Sequence, residues 1–365
     1  MFIILSVIII LVFSGFQFLQ QDLFGARPGG KRLELIKKSK NYRDGKFQNE
    51  SFTPSLAQGY SYIGVMYNFL FNKKDNLAPK DSVPTISTNL KSLPADANVL
   101  IWFGHSSYLM QLEGKTILVD PVLSGYAAPF KSMNKAFAGA DNYKVDDLPP
   151  IDYLLVTHDH YDHLDFETIK KLKDKVGKVV CALGVGDHFE KWAYPSSMLI
   201  EKDWGDKIVL DSLITVHLTP ARHFSGRSLF RNNTLWTSYV LETPSRKIFI
   251  GGDSGYDKHF KAIGKKFGSF DLAILENGQY NEAWRYIHTM PDEVLQVGKD
   301  LDAKRLFPVH SGKFDLGGHP WNEPLKKITE FNKKAGQSLI TPMIGEVVDL
   351  DNESQTFSKW WEGVN

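Results

Sequence analysis

Residues 157–165 read THDHYDHLD, with three histidines and three carboxylates in one short run. They continue the β-rich apolar run YLLVT, so the polar cluster falls where a strand ends. In an extended chain residues i and i+2 point the same way, and His158 and His160 can therefore grip one metal ion. The chain then turns, and Asp162 with His163 can face a second position nearby. A helix does not suit the first pair, because i and i+2 do not share a helix face. On these nine residues alone, a polar turn rich in histidine fits as well.

Partners further along favour the metal. LITVHLTPARH ends at His223, KIFIGGD at Asp253 and RLFPVH at His310. Four strand-like runs thus deliver a ligand-type residue at their C-terminal ends, where open α/β sheets place their sites. The inventory is His158, His160, Asp162, His163, His223, Asp253 and His310. One catalytic zinc uses three protein ligands and keeps a position open, so this set is too large for one ion and suits two sharing a carboxylate. Asp253, arriving after Gly251 and Gly252, is the natural bridge. His188, His217, His259 and His319 lack such placement and read as ordinary satisfied or solvated side chains. Cys181 in KVVCAL is the single cysteine. It reads as a buried strand residue and excludes an intramolecular disulfide.

The chain of 365 residues is long enough for a sizeable core. Its 42% hydrophobic and 23% charged content is that of a globular body, and a net charge of +1 argues against nucleic acid as a partner. From Val99 onward, short runs (VLIWF, TILVD, YLLVT, KVVCAL, LITVHL, TSYVLE, KIFIGG, DLAIL, RLFPV) alternate with helical patterns. Those patterns cover residues 166–175, 256–267, 291–301 and 323–335. Pro291 followed by Asp292 and Glu293 makes a good helix start. Strand-to-helix and strand-to-strand steps together predict a layered α/β body with mixed sheets.

Three regions follow: residues 1–20, an extension and linker over 21–97, and the main domain over 98–365. Residues 73–97, rich in Pro, Ser, Asp and Lys, read as an extended, poorly structured connection. Residues 1–19, MFIILSVIIILVFSGFQFL, are expected to form a membrane anchor or a signal sequence, which would make the protein membrane-associated. The first basic cluster, Arg27, Lys31, Arg32, Lys37 and Lys38, follows that run. The positive-inside tendency would then put the body in the cytoplasm, whereas an export signal would put it outside.

HDHYDH resembles the H-x-H-x-D-H signature of the metallo-β-lactamase superfamily, and His223, Asp253 and His310 resemble its later metal motifs in order and type. The likeness spans residues 99–327. Within the superfamily the chain is most similar to the N-acylphosphatidylethanolamine-hydrolysing phospholipase D group. It is so through GHSSYLMQLEGKTILVDPVLS, LPPIDYLLVTHDHYDHLD, TPARHFSGR, FIGGDSGYDKHFKAIGKKFGSFDLA, YIHTMPDE and PVHSGKF. ENGQYNEAW, residues 276–284, departs from that group's pattern. The resemblance implies an αββα sandwich with two Zn2+ ions. His158, His160 and His223 would hold the first ion; Asp162, His163 and His310 the second; Asp253 would bridge.

Two zinc ions a few Å apart lower the pKa of a shared water and clamp phosphodiester oxygens. The implied reaction is hydrolysis of a phospholipid diester, releasing an N-acylethanolamine and leaving phosphatidate. Asp162 and His288 are the expected catalytic residues, with His288 contacting the substrate or donating a proton. Tyr161, Gln279 and Tyr280 are further substrate-pocket candidates, and His105, Asp120 and Asp159 are candidates to support the metal ligands through hydrogen bonds. Tyr126, Phe130, Met133 and Phe137, within residues 121–150, are expected to form an apolar lip for acyl chains. Expected partners are a phospholipid, the membrane surface and a second copy in a homodimer. The rival readings are a lactonase of the ascorbate-6-phosphate type or another hydrolase on the same scaffold, and a membrane-tethered metal-binding protein without activity.

Overall fold

The computed structural model describes residues 2–227 and 230–365. A hairpin of β1 (Tyr42–Arg43) and β2 (Lys46–Phe47) precedes two seven-stranded sheets. The first sheet contains β3 (Val99–Trp102), β4 (Tyr108–Leu112), β5 (Lys115–Val119), β6 (Ile151–Val156), β7 (Val176–Ala182) and β8 (Leu199–Lys202) in chain order. The second contains β9 (Lys207–Val209), β10 (Thr215–Thr219), β11 (Ser238–Glu242), β12 (Lys247–Ile250), β13 (Leu272–Glu276), β14 (Arg305–Val309) and β15 (Ser338–Leu339). The chain then returns to the first sheet, where β16 (Val347–Asp349) pairs antiparallel with β3. Each sheet is mixed: β5 to β8 and β12 to β15 run parallel, and the remaining neighbours are antiparallel.

Period-2 alternation puts the sheets face to face. In β12, Ile248 and Ile250 join the core shared by both sheets, while Phe249 joins a second cluster under the helices. In β13, Leu272 and Ile274 point into the shared core, and Ala273 and Leu275 point away. Successive strand residues face opposite sides, so each run must be apolar throughout to be covered on both. The Tyr239 hydroxyl crosses the sandwich and donates to Val156 O at 2.5 Å. Helices α6 (His259–Phe267), α7 (Pro291–Asp300) and α8 (Glu323–Ala335) cover the second sheet with Phe260, Ile263, Val294, Leu295 and Ile328. Helices α4 (Phe166–Leu172) and α5 (Gly186–Lys191) place Ile169, Leu172 and Phe189 in the larger cluster that carries the first sheet. The result is the expected αββα sandwich, and the expected helices are present to within a few residues.

The N-terminal reading needs correction. Residues Phe2–Leu19 form helix α1, but no helix among the described residues is long and apolar enough to cross a membrane. Eighteen residues rise about 27 Å, short of a hydrocarbon core of about 30 Å. The last turn of α1 is also engaged with the body: Phe18 packs on Phe130 at 6.0 Å between ring centroids and on Phe24 at 5.3 Å. The membrane-anchor expectation is therefore not upheld.

Residues 73–97 are tied down as well. Val83 and Leu90 are buried, Val83 N donates to Ala138 O, and Ile86 N donates to Ile344 O. Further N-terminal elements are α2 (Gly30–Ile36) and α3 (Tyr62–Phe71). Arg32 of α2 is paired with Asp187, Glu190 and Glu201, fastening the extension to α5 and β8.

Candidate metal centre

The C-terminal ends of β6, β12 and β14 and the segment after β10 bring all seven predicted ligands together. The donor atoms of His158, His160, His223 and Asp253 lie within 4.8 Å of one another, and so do those of His105, Asp162, His163 and His310. Gly252 permits the convergence. Its φ is +59°, and a Cβ there would sit 2.9 Å from the Thr157 side chain, so only glycine lets the Asp253 loop approach the end of β6 this closely. His105, Asp120, Gln279 and His310 also hold positive φ, and this cluster of left-handed backbone marks the rim of the site.

The spacing of the donor atoms fits bound metal. His158 Nε2 lies 3.0 Å from His160 Nδ1, which lies 3.2 Å from His223 Nε2. Zinc–nitrogen bonds of about 2.0–2.1 Å on a tetrahedral ion separate two ligand nitrogens by about 3.3 Å. The Asp253 carboxylate stands between the groups: Oδ2 is 3.2 Å from His163 Nε2, 3.7 Å from His223 Nε2 and 3.8 Å from His158 Nε2. Its Oδ1 is 3.3 Å from His310 Nδ1 and has no hydrogen-bond partner. His163 Nε2 is likewise buried and unpartnered.

The far side of the histidines is held by protein. His163 Nδ1 pairs with Asp120 Oδ2 at 2.8 Å, His223 Nδ1 with Ile287 O at 2.8 Å, and His158 Nδ1 with Thr157 Oγ1 at 3.0 Å. Such contacts fix the tautomer and turn the other nitrogen toward a metal. Burial, reinforced by neighbouring imidazoles, drives the pKa values of His158, His223 and His310 down. These rings are therefore neutral, with lone pairs free. Burial works against charge on Asp162 and Asp253, but His163 beside them, whose own pKa these carboxylates and Asp120 raise, prevails, and both carboxyls stay well below their ordinary range.

The supporting candidates separate. Asp120 accepts from His163, Thr157 N and Thr157 Oγ1. His105 Nε2 meets Asp162 Oδ2 at 2.9 Å and joins the second group outright. Asp159 touches none of the ligand side chains by hydrogen bond; it accepts from Gly226 N and Thr234 Oγ1 and holds the loop after His223.

The metal groups form the floor of a cavity of about 390 Å³. Its walls include Leu56, Tyr62, Val65, Phe224, Trp284 and Ile287, with His288 and Gln279 at the side. Gln279 is committed to structure, since Oε1 accepts from Leu316 N and Gly317 N and Nε2 donates to Phe314 O. Tyr161 and Tyr280 face elsewhere. The Tyr161 hydroxyl donates to Arg227 O, and Tyr280 stacks on His319 with its hydroxyl on Glu323.

The lip expected over residues 121–150 does not line this cavity. Tyr126 and Phe137 are buried, and Phe130 packs against the N-terminal Phe18 and Phe24. Residues 49–65 supply part of the walls instead, beside Phe224, Trp284 and Ile287. Asn49 there holds His223 by both backbone groups, donating to its O at 2.8 Å and accepting from its N at 3.1 Å.

Sequence reasoning also missed Glu276. It ends β13, is 3% exposed, and its Oε2 meets His288 Nδ1 at 2.6 Å. Burial raises the Glu276 carboxyl to about 7. Burial opposes protonation of His288, but the adjoining carboxylate prevails and lifts it to about 9. The signal was present in the sequence: DLAILE is a strand-like run ending in a carboxylate, like the runs ending at Asp253 and His310.

A family model described as a β-lactamase superfamily domain matches residues 115–311. The chain belongs to the metallo-β-lactamase superfamily. An uncharacterized protein of Mycobacterium tuberculosis is 34% identical over 331 residues, 90% of this chain and 88% of that one. The N-acyl-phosphatidylethanolamine-hydrolyzing phospholipase D 1 of Caenorhabditis elegans is 32% identical over 270 residues, 67% of this chain and 74% of that one. Among solved structures, the metallo hydrolase Igni18 of Ignicoccus hospitalis superposes with a TM-score of 0.50 at 18% identity, covering 69% of this chain and 97% of that one. That likeness concerns the fold alone. Family and donor clusters together make this a metal-dependent hydrolase of the metallo-β-lactamase fold.

Proposed function

We propose that this member of the superfamily is a phosphodiesterase of the phospholipase D type, using two zinc ions to convert N-acylphosphatidylethanolamine-like phospholipids to N-acylethanolamine and phosphatidate. The observation that carries the reading is a complete set of candidate ligands, five of the seven buried, flooring a cavity whose walls include Leu56, Tyr62, Val65, Phe224, Trp284 and Ile287. The sequence likeness to the phospholipase D of Caenorhabditis elegans supports the same substrate class.

His158, His160 and His223 would hold one ion, Asp162, His163 and His310 the other, and Asp253 would reach both. When bound, such a pair supplies Lewis acidity toward the phosphate and lowers the pKa of water. The protein does the rest. Leu56, Tyr62, Val65 and Trp284 exclude water from the walls and receive the first carbons of the lipid. The cavity accepts the headgroup diester, and the acyl chains leave over α3, whose Ile63, Leu70 and Phe71 are exposed. Departure of the ethanolamine oxygen as an alkoxide is unfavourable, and His288, on the cavity wall, gives it a proton.

The test is incubation of the zinc-loaded protein with N-acylphosphatidylethanolamine and mass spectrometry of both products. Turnover of lactones without turnover of phospholipid would replace this reading with the lactonase.

A further inference from the structure

Glu276 lies in ENGQYNEAW, the stretch that departs from the phospholipase D pattern. Its carboxylate is pinned at both ends. Oε1 accepts from Ser254 N at 2.7 Å and Thr289 N at 3.2 Å, and Oε2 meets His288 Nδ1. Ser254 follows the bridging Asp253, and Thr289 follows His288, so one side chain ties the metal-bridging loop to the histidine. Thr289 Oγ1 closes the tie by donating to Ser254 O. Two backbone N–H groups aimed at one buried carboxylate make a built acceptor site.

The histidine it orients lies across the two metal groups. The His288 ring is 5.1 Å from that of His223 and 5.4 Å from that of His310, nearly parallel to the latter. With Nδ1 committed to Glu276, Nε2 is the nitrogen left for the cavity.

Asp253, Glu276, His288 and His310 also bring donor atoms within 4.8 Å of one another. A third ion among them is disfavoured: 2.6 Å between Glu276 and His288 is a hydrogen bond, shorter than the edge of about 3.3 Å between two ligands of one tetrahedral ion.

We infer that Glu276 is a positioning residue that fixes the tautomer and aim of His288, so that Nε2 delivers a proton to the leaving oxygen of an alkyl phosphodiester. The inference rests on the proposed phosphodiesterase reaction. In that step a bond forms between phosphorus and the oxygen of water. The bond from phosphorus to the ethanolamine oxygen breaks with its electron pair on oxygen, and the proton from Nε2 joins that oxygen. The proton released by the attacking water restores the imidazolium, so charge and protons balance.

The test compares wild type, Glu276→Ala, Glu276→Gln, His288→Ala and the double variant Glu276→Ala/His288→Ala on two substrates. N-acylphosphatidylethanolamine has an alkoxide leaving group that needs a proton; bis(p-nitrophenyl) phosphate has one that does not. The expected result is a kcat about 10²-fold lower on the phospholipid for Glu276→Ala, with KM and zinc content unchanged. The loss on bis(p-nitrophenyl) phosphate should be less than about fivefold, and the double variant no slower than His288→Ala. Equal losses on both substrates, or loss of zinc, would overturn the inference and leave Glu276 a structural support. A second readout needs no turnover: histidine-labelled, zinc-loaded wild type should show a downfield Nδ1 proton of His288 that Glu276→Ala lacks. If wild type cleaves neither substrate, the proposed function fails while this resonance still decides the positioning role, and its absence overturns it.

Discussion

Asp120 holds His163 by a 2.8 Å contact to Nδ1 while accepting from both the N–H and the hydroxyl of Thr157. One buried carboxylate at the end of β5 thus fixes both a candidate ligand and the residue that opens the candidate ligand run. Replacing Asp120 with Asn should weaken metal binding about 10- to 100-fold, read by zinc competition with a chelator. Affinity within twofold of wild type would remove Asp120 from the metal shell.

Asn49 acts on the site from the N-terminal extension. Its side chain bonds both backbone groups of His223, and its Oδ1 also accepts from Trp236 Nε1. Asn49→Ala releases His223 from this clamp, and kcat/KM should fall tenfold or more, up to about 10²-fold for a displacement of about 1 Å. Steady-state kinetics at saturating zinc checks this, and unchanged kinetics would show that His223 is held without Asn49.

Lys313 is 1% exposed, three residues after His310, and donates to Phe103 O at 3.2 Å and Val122 O at 2.9 Å. Asp141 Oδ1 lies 3.3 Å from its Nζ. Lys313→Met leaves the two buried carbonyls without their donor and Asp141 with Lys144 as its remaining cation, and stability should fall by about 2–3 kcal/mol. Denaturant unfolding measures this, and a loss under 1 kcal/mol would contradict it.

Tyr62 and Val65 lie one turn apart on α3 and wall the cavity. Changing both to Ser should raise KM for the phospholipid severalfold and leave bis(p-nitrophenyl) phosphate unaffected. Equal effects on the two substrates would show that α3 does not meet the lipid.

The sequence made the strand ends legible, because apolar runs and the ligand residues that close them are both local patterns. His223, Asp253 and His310 could be joined to THDHYDHLD on that basis, and α8 was readable to its bounds because its apolar residues recur at helical spacing. Contacts between distant segments left no such mark. Asn49 and His223 are 174 residues apart, and neither residue type announces the other. Tyr126 and Phe137 are apolar as a lip would be, but composition does not say which surface covers them, and they are buried in the body. Glu276 stood in plain view at a strand end and was passed over because its partner, His288, lies 12 residues away with no regular spacing between them. The N-terminal run was apolar enough to read as an anchor, but the docking of Phe18 on Phe130 and Phe24 is a property of the folded chain.

The central claim is that seven residues hold two ions and that both are needed for hydrolysis. Zinc titrated into chelator-treated protein, with bis(p-nitrophenyl) phosphate turnover followed at each addition, tests it most directly. Activity rising to a plateau at two equivalents per chain is the predicted result. Full activity without added metal, or a plateau at one equivalent, would contradict it.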